Sequence, residues 1–149
     1  MDDGRIRNLD RYRISAIAAT LSRLGLGAVF VYAAVPKLLD WHGFADMVAR
    51  YRMLPDILVD LTALFMPALE LVVGLLLIMG VYRQSAAWAT ILMNIVFMIA
   101  MGQALLRGLD TSCGCFTGES GPMTWWDMGR DVVFIMMAWL VVQEERRAG

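Results

Sequence analysis

The chain has 149 residues, room for one domain. Hydrophobic residues make up 59% and charged residues 18%, with a positive mean hydropathy; a soluble domain of this size runs at about 45–50% apolar and about 25% charged. A net charge of −1 with no basic stripe excludes nucleic acid as a partner and leaves the lipid bilayer as the first one to consider.

The chain opens polar and basic, with Arg5, Arg7, Arg11 and Arg13. A first span is expected over residues 14–39, with Arg23 near one membrane face, where it can snorkel. Gly25, Gly27 and Ala28 are small enough to let a neighbouring helix approach closely. The apolar run from Leu24 to Val35 also has the look of a secretory signal. The long lead-in and the following Pro36-Lys37-Leu38-Leu39 fit a retained helix better.

Residues 40–53 are too charged to span. Trp41, Phe44, Met47, Val48 and Tyr51 recur at helical spacing, while Asp46 and Arg50 pair on the polar side. The pattern predicts a short amphipathic helix in the membrane interface, stopped at Leu54-Pro55. His42 on it reads as a solvated surface residue.

A second span follows at residues 60–80, containing Pro67 and one carboxylate, Glu70; residues 81–83 then turn tightly. Residues 84–106 contain no Asp, Glu, Lys or Arg. At roughly 1.5 Å per residue such a run crosses a hydrocarbon core of about 30 Å. A glycine-rich loop over 107–124 leads to a fourth span at 126–142. The expected fold is therefore all-α: a single membrane domain over residues 1–149, a four-helix bundle with an interfacial helix between spans one and two. The sequence sets no oligomeric state.

Trp41, Trp125 and Trp126 fall at one expected interface and Trp88 and Trp139 at the other, as bilayers select. Arg5, Arg7, Arg11, Arg13, Arg83, Arg146 and Arg147 gather on one side; Lys37, Arg50, Arg52, Arg107 and Arg130 lie on the other. The bias places both termini in the cytoplasm and the loop on the extracytoplasmic side, where disulfides persist.

That loop holds the chain's two cysteines, as Cys113-Gly114-Cys115. An extended chain separates Cα atoms two residues apart by about 7 Å, whereas a disulfide needs roughly 4.4–6.8 Å. The chain must bend at Gly114, which glycine permits, and a ring this small is strained and easily reduced. Inert thiols fit poorly in a polar loop. A structural staple gains little from so short a ring. Two thiolates fall short of a zinc site, but they suit Cu(I), with Met123 as a soft third ligand. A redox-active pair is the best single explanation, with Cu(I) handling and a catalytically silent scaffold subunit as its rivals.

Glu70 lies deep in its span, with Asn94 at similar depth as a hydrogen-bonding candidate. Two readings are balanced: a proton relay or ligand site, and a protonated acid joining two helices. Lys37, Arg107, Arg130 and Asp131 belong at the outer membrane edge. A cation there lowers a thiol pKa; interfacial anchoring accounts for these side chains equally well.

With these residues placed, the chain resembles the DoxX-like superfamily of small four-helix membrane proteins, and within it the MauE group. The likeness covers about residues 24–142. It rests on Lys37-Leu38, Tyr51-Arg52-Met53-Leu54-Pro55, Pro67, Glu70, Gly74, Cys113-Gly114-Cys115-Phe116, Trp126 and Arg130-Asp131. Thr117 stands where the family pattern usually has glycine. The resemblance implies thiol–disulfide or electron-transfer work in a bacterial inner membrane, beside a periplasmic thioredoxin-like partner and a disulfide-containing client. With two cysteines only, electrons from the pair need another carrier. A quinone is one route, and no cofactor motif is legible.

Overall fold

The computed structural model describes residues 3–109 and 124–148. It contains five helices: α1 (Asp3–Leu39), α2 (Trp41–Arg50), α3 (Asp56–Met79), α4 (Arg83–Leu106) and α5 (Trp125–Ala148). No strand occurs among the described residues. Among the described residues, three helices are long and apolar enough to cross a membrane: α3, α4 and the stretch Leu9–Leu39 of α1. α5 matches α3 and α4 in length but carries Asp127, Arg130 and Asp131 near its start and four charges from Glu144 to Arg147 near its end. Most large apolar side chains point outward: Leu21, Leu64, Phe65, Leu92 and Met136 are each at least half exposed. Water would not tolerate so much apolar surface on a monomer; lipid does. The chain is a membrane protein.

The helix boundaries have local causes. The Asp40 carboxylate accepts from Gly43 N at 3.1 Å and caps α2, meeting one of the amides a helix start leaves open. Pro55, at φ −66° and ψ 152°, opens α3 from extended backbone. α3 ends at Gly80, which takes the left-handed conformation at φ 71° and returns its N–H to Leu76 O at 3.0 Å. Arg23 on α1 completes that end: its Nη1 donates to the carbonyls of Leu77 and Ile78, placing a cation at the negative pole of α3.

α1 packs against α3 and α5, α4 against α5 and more lightly against α3, and α2 against the first half of α3. The α1–α3 contact is closest at two glycines. A Cβ on Gly27 would meet Gly74 O at 2.8 Å, and one on Gly74 would meet Gly27 O at 2.9 Å, so the two backbones touch. The small-residue stretch predicted this approach for Gly27, whereas Gly25 makes only an ordinary contact with Met137 of α5. The main apolar core joins Leu26 and Phe30 of α1, Val73 and Leu77 of α3, Ile91 of α4 and Val141 of α5.

The amphipathic helix forms where the periodicity put it, over 41–50 within the expected 40–53. Its apolar face packs inward: Phe44, Ala45 and Val48 cluster with Val59 and Ala63 of α3. Gln103 Nε2 donates to Tyr51 O at 3.0 Å and Arg107 Nη1 to Arg52 O at 3.3 Å, so the end of α4 holds the α2–α3 turn. Arg52 adopts φ 50°, an uncommon conformation for a residue with a long side chain, and these bonds stabilise it.

Candidate functional site

Charge inside an apolar helical interior needs a partner. Lys37 comes from the last turn of α1 and Glu70 from the middle of α3, and they meet in the interior. Lys37 Nζ donates to Oε1 at 3.0 Å and to Oε2 at 2.9 Å, with the two side chains only 4% and 5% exposed. The ammonium also faces the rings of Phe44 at 5.3 Å and Phe97 at 5.7 Å. Lys37 is thus a buried counter-ion and not an interfacial anchor. Asn94 does not serve Glu70 in the expected way. It is buried at the same depth, but its Nδ2 donates to Thr90 O at 2.8 Å.

A second charged group comes from the start of α5. Arg130 lies 3.8 Å from Asp127 and 3.5 Å from Asp131, and its guanidinium faces the ring of Phe134 at 6.0 Å. Asp131 is 2% exposed, and its Oδ2 has no hydrogen-bond partner among the described residues. Tyr51, in the turn after α2, is near this group. Burial pushes its phenol up to about 12, and the carboxylates of Asp127 and Asp131 add to the shift, so it stays protonated.

Both charged groups line one cavity of about 420 Å³, walled mainly by apolar side chains of α1, α2, α3, α4 and α5. Of the sequence candidates, Lys37, Glu70, Arg130 and Asp131 converge on it, joined by Asn94 and Tyr51. Arg107 does not line it. It is exposed and bonds Arg52 O and Gln103 Oε1. His42 is exposed against Trp41, ring centroids 3.7 Å apart, as expected of a surface residue. Cys113, Gly114, Cys115 and Met123 lie outside the described residues. The segment that contains them joins the end of α4 to the start of α5, the end of the molecule where Arg107, Arg130 and Asp131 sit. Among the described residues no group of three His, Cys, Asp or Glu side chains has the arrangement of a metal site.

Sequence reasoning missed the pairing of Lys37 with Glu70 and the cavity they share with Asp131. The signal was present: two opposite charges in apolar spans, each requiring a partner.

Residues 15–143 match the family described as methylamine utilisation protein MauE. The chain belongs to the MauE family. Methylamine utilization protein MauE of Paracoccus denitrificans is 33% identical over 118 residues, covering 78% of this chain and 63% of that protein. The MauE of Methylorubrum extorquens is 30% identical over 131 residues, covering 84% of this chain and 70% of the relative. That of Paracoccus versutus is 33% identical over 115 residues, 76% of this chain and 62% of its own length. The chain therefore spans about two thirds of these MauE proteins. No solved structure matches it. The MauE match includes Lys37, Glu70, Asp131 and the Cys-Gly-Cys segment within its bounds.

Proposed function

We propose that this MauE-family chain is a membrane thiol–disulfide oxidoreductase, or the membrane subunit of one, that serves methylamine utilisation as an accessory protein. The observation that carries the reading is Cys113-Gly114-Cys115, a closely spaced pair in a polar, glycine-rich segment of a membrane protein. The pair cycles between dithiol and disulfide, exchanging with an extracytoplasmic thioredoxin-like protein or with a disulfide-containing client. Gly114 allows the ring to close, and the cations Arg107 and Arg130 at that end of the helices favour the thiolate. The DoxX-like architecture goes with this reading: four spans, with α5 as the fourth and α2 at the interface. Both termini are then cytoplasmic and the cysteines extracytoplasmic in a bacterial inner membrane.

The uncharged stretch of α5 from Val132 to Gln143 supports a fourth span. At about 1.5 Å per residue it needs the flanking charges at the headgroup level, which is where snorkelling side chains reside. Trp88 and Trp139 also support it: their rings meet edge-on at 5.9 Å, with Arg146 at 5.9 and 6.0 Å, an aromatic and cationic anchor suited to an interface.

The test is the Cys113→Ser variant in cells that depend on the pathway. The disulfide-containing client should then accumulate reduced and unstable; normal maturation contradicts the proposal. Copper stoichiometry on the reduced, purified chain addresses the rival. Cu(I) bound at one equivalent, and lost in Cys115→Ser, would favour metal handling by Cys113, Cys115 and Met123 instead.

A further inference from the structure

Arg23 of α1 and Arg83 of α4 meet at Gly80, where α3 ends. A Cβ built on that glycine would lie 2.9 Å from Arg23 Nη1 and 3.2 Å from Arg83 Nε, so two guanidiniums crowd one point of the turn. Like charges this close repel each other, and an anion between them relieves the repulsion. The chain itself supplies little negative charge here. Arg23 Nη1 donates to the carbonyls of Leu77 and Ile78, and Arg83 Nε to Gly80 O at 3.0 Å. Glu145, 3.3 Å from Arg83 Nη1, is the only carboxylate paired with either cation among the described residues, and the Arg83 side chain is still 50% exposed. A guanidinium carries five N–H donors. Arg23 Nε and Nη2 and Arg83 Nη2 meet no acceptor among the described residues. Further along α4, Arg146 adds a third cation over Trp88 and Trp139.

The surroundings decide which anion suits the cluster. The turn that carries it is apolar and open, with Met79 62%, Val81 45% and Tyr82 74% exposed. A free anion gains nothing from such a rim, whereas a phospholipid brings phosphate and acyl chains together. Depth agrees: the pair sits at the end of α3, a helix long enough to cross a membrane, where head groups lie. Basic pockets between membrane helices are a recurring seat for phospholipid head groups.

We propose that Arg23 and Arg83 bind the phosphate of an anionic phospholipid of the phosphatidylglycerol class, with its acyl chains along the apolar rim of the α3–α4 turn. The planar fork of each arginine suits paired phosphate oxygens. The lipid then ties α1 to the start of α4, beside the Glu145 contact that ties α4 to α5. The site holds whichever way the chain lies in the bilayer, and it does not rest on the redox reading.

The experiment uses the full chain in phosphatidylcholine nanodiscs doped with phosphatidylglycerol brominated on its acyl chains. Tryptophan quenching reports contact, because Trp88 and Trp139 stand beside the cluster. The relative binding constant should favour phosphatidylglycerol over brominated phosphatidylcholine roughly tenfold, the effect of a charge-assisted hydrogen-bonded contact. Arg83→Gln should lower that preference roughly fivefold, the share of one interfacial arginine. Arg23→Gln should lower it by a similar factor. Arg23 also caps α3, so Arg83→Gln, on a half-exposed side chain, carries the test if Arg23→Gln melts early. Arg13→Gln removes an exposed charge outside the cluster and should keep the wild-type preference. Equal quenching by the two lipids overturns the site. Equal losses in Arg13→Gln and Arg83→Gln do the same, since they mark diffuse charge attraction. Displacement of the lipid by millimolar inorganic phosphate also overturns it, in favour of a free-anion site.

Discussion

Glu70 and Lys37 meet as a buried ion pair, Nζ to Oε2 at 2.9 Å. Each ion taken into a low-dielectric interior loses several kcal/mol of hydration, and the partner's attraction with hydrogen bonds to both carboxylate oxygens offsets that loss. Glu70→Gln leaves a buried cation unmatched, and we expect a loss of about 3–5 kcal/mol in detergent denaturation. Lys37→Met/Glu70→Met should recover most of it, because an apolar pair of similar volume needs no counter-charge. A double variant no more stable than Glu70→Gln contradicts a pairwise role. Tyr51 gives a pH signature at the same scale. Its raised folded-state pKa means that the native protein holds the phenol proton more tightly than the unfolded chain does. The contribution of Tyr51 to stability is therefore flat below about pH 10 and falls as pH rises from about 10 through about 12. The wild-type-minus-Tyr51→Phe ultraviolet difference should show a phenolate band with its midpoint near 12; a midpoint near the ordinary value of about 10 contradicts the burial.

The contact between α1 and α3 depends on glycine at two positions and is indifferent to it elsewhere. Gly74→Ala drives a methyl to 2.9 Å from Gly27 O, and we expect a cost of about 1–3 kcal/mol as the backbones separate. Gly129 on α5 has nothing within 4 Å of an added Cβ. Gly129→Ala should be neutral or stabilise by about 0.5–1 kcal/mol through helix propensity. Thermal unfolding of the two single variants checks the contrast, and equal effects would contradict the close approach. The helices themselves were largely legible in the sequence. The uncharged run 84–106 became α4 with one residue added, Pro55 and Gly80 delimit α3, and the spacing from Trp41 to Tyr51 foretold α2. The rotation of each helix about its axis was not legible. Residue order gives depth in the membrane, which put Asn94 level with Glu70. It does not tell which way Lys37 points, and a four-carbon stem at the end of α1 reaches inward as readily as outward. The inward face of α2 was hidden for the same reason: an apolar stripe fits lipid and α3 equally well.

For the molecule as a whole, the ends matter more than the middle. Arg23, Arg83 and Arg146 gather where α3 ends, α4 begins and α5 ends, and Trp88 and Trp139 lie among them. Toward the opposite end, Lys37, Glu70, Arg130 and Asp131 line the cavity, and in the sequence the Cys-Gly-Cys segment falls between α4 and α5. The redox proposal sets its thiol pair outside the lipid beyond this end, above a mainly apolar cavity that holds four charged side chains. The most direct test is to trap the state of Cys113 and Cys115 in living cells by acid quench and alkylation. A redox-active pair predicts a mixture of dithiol and disulfide that shifts when the thioredoxin-like partner or client is removed. A pair that stays in one state under every such change contradicts it.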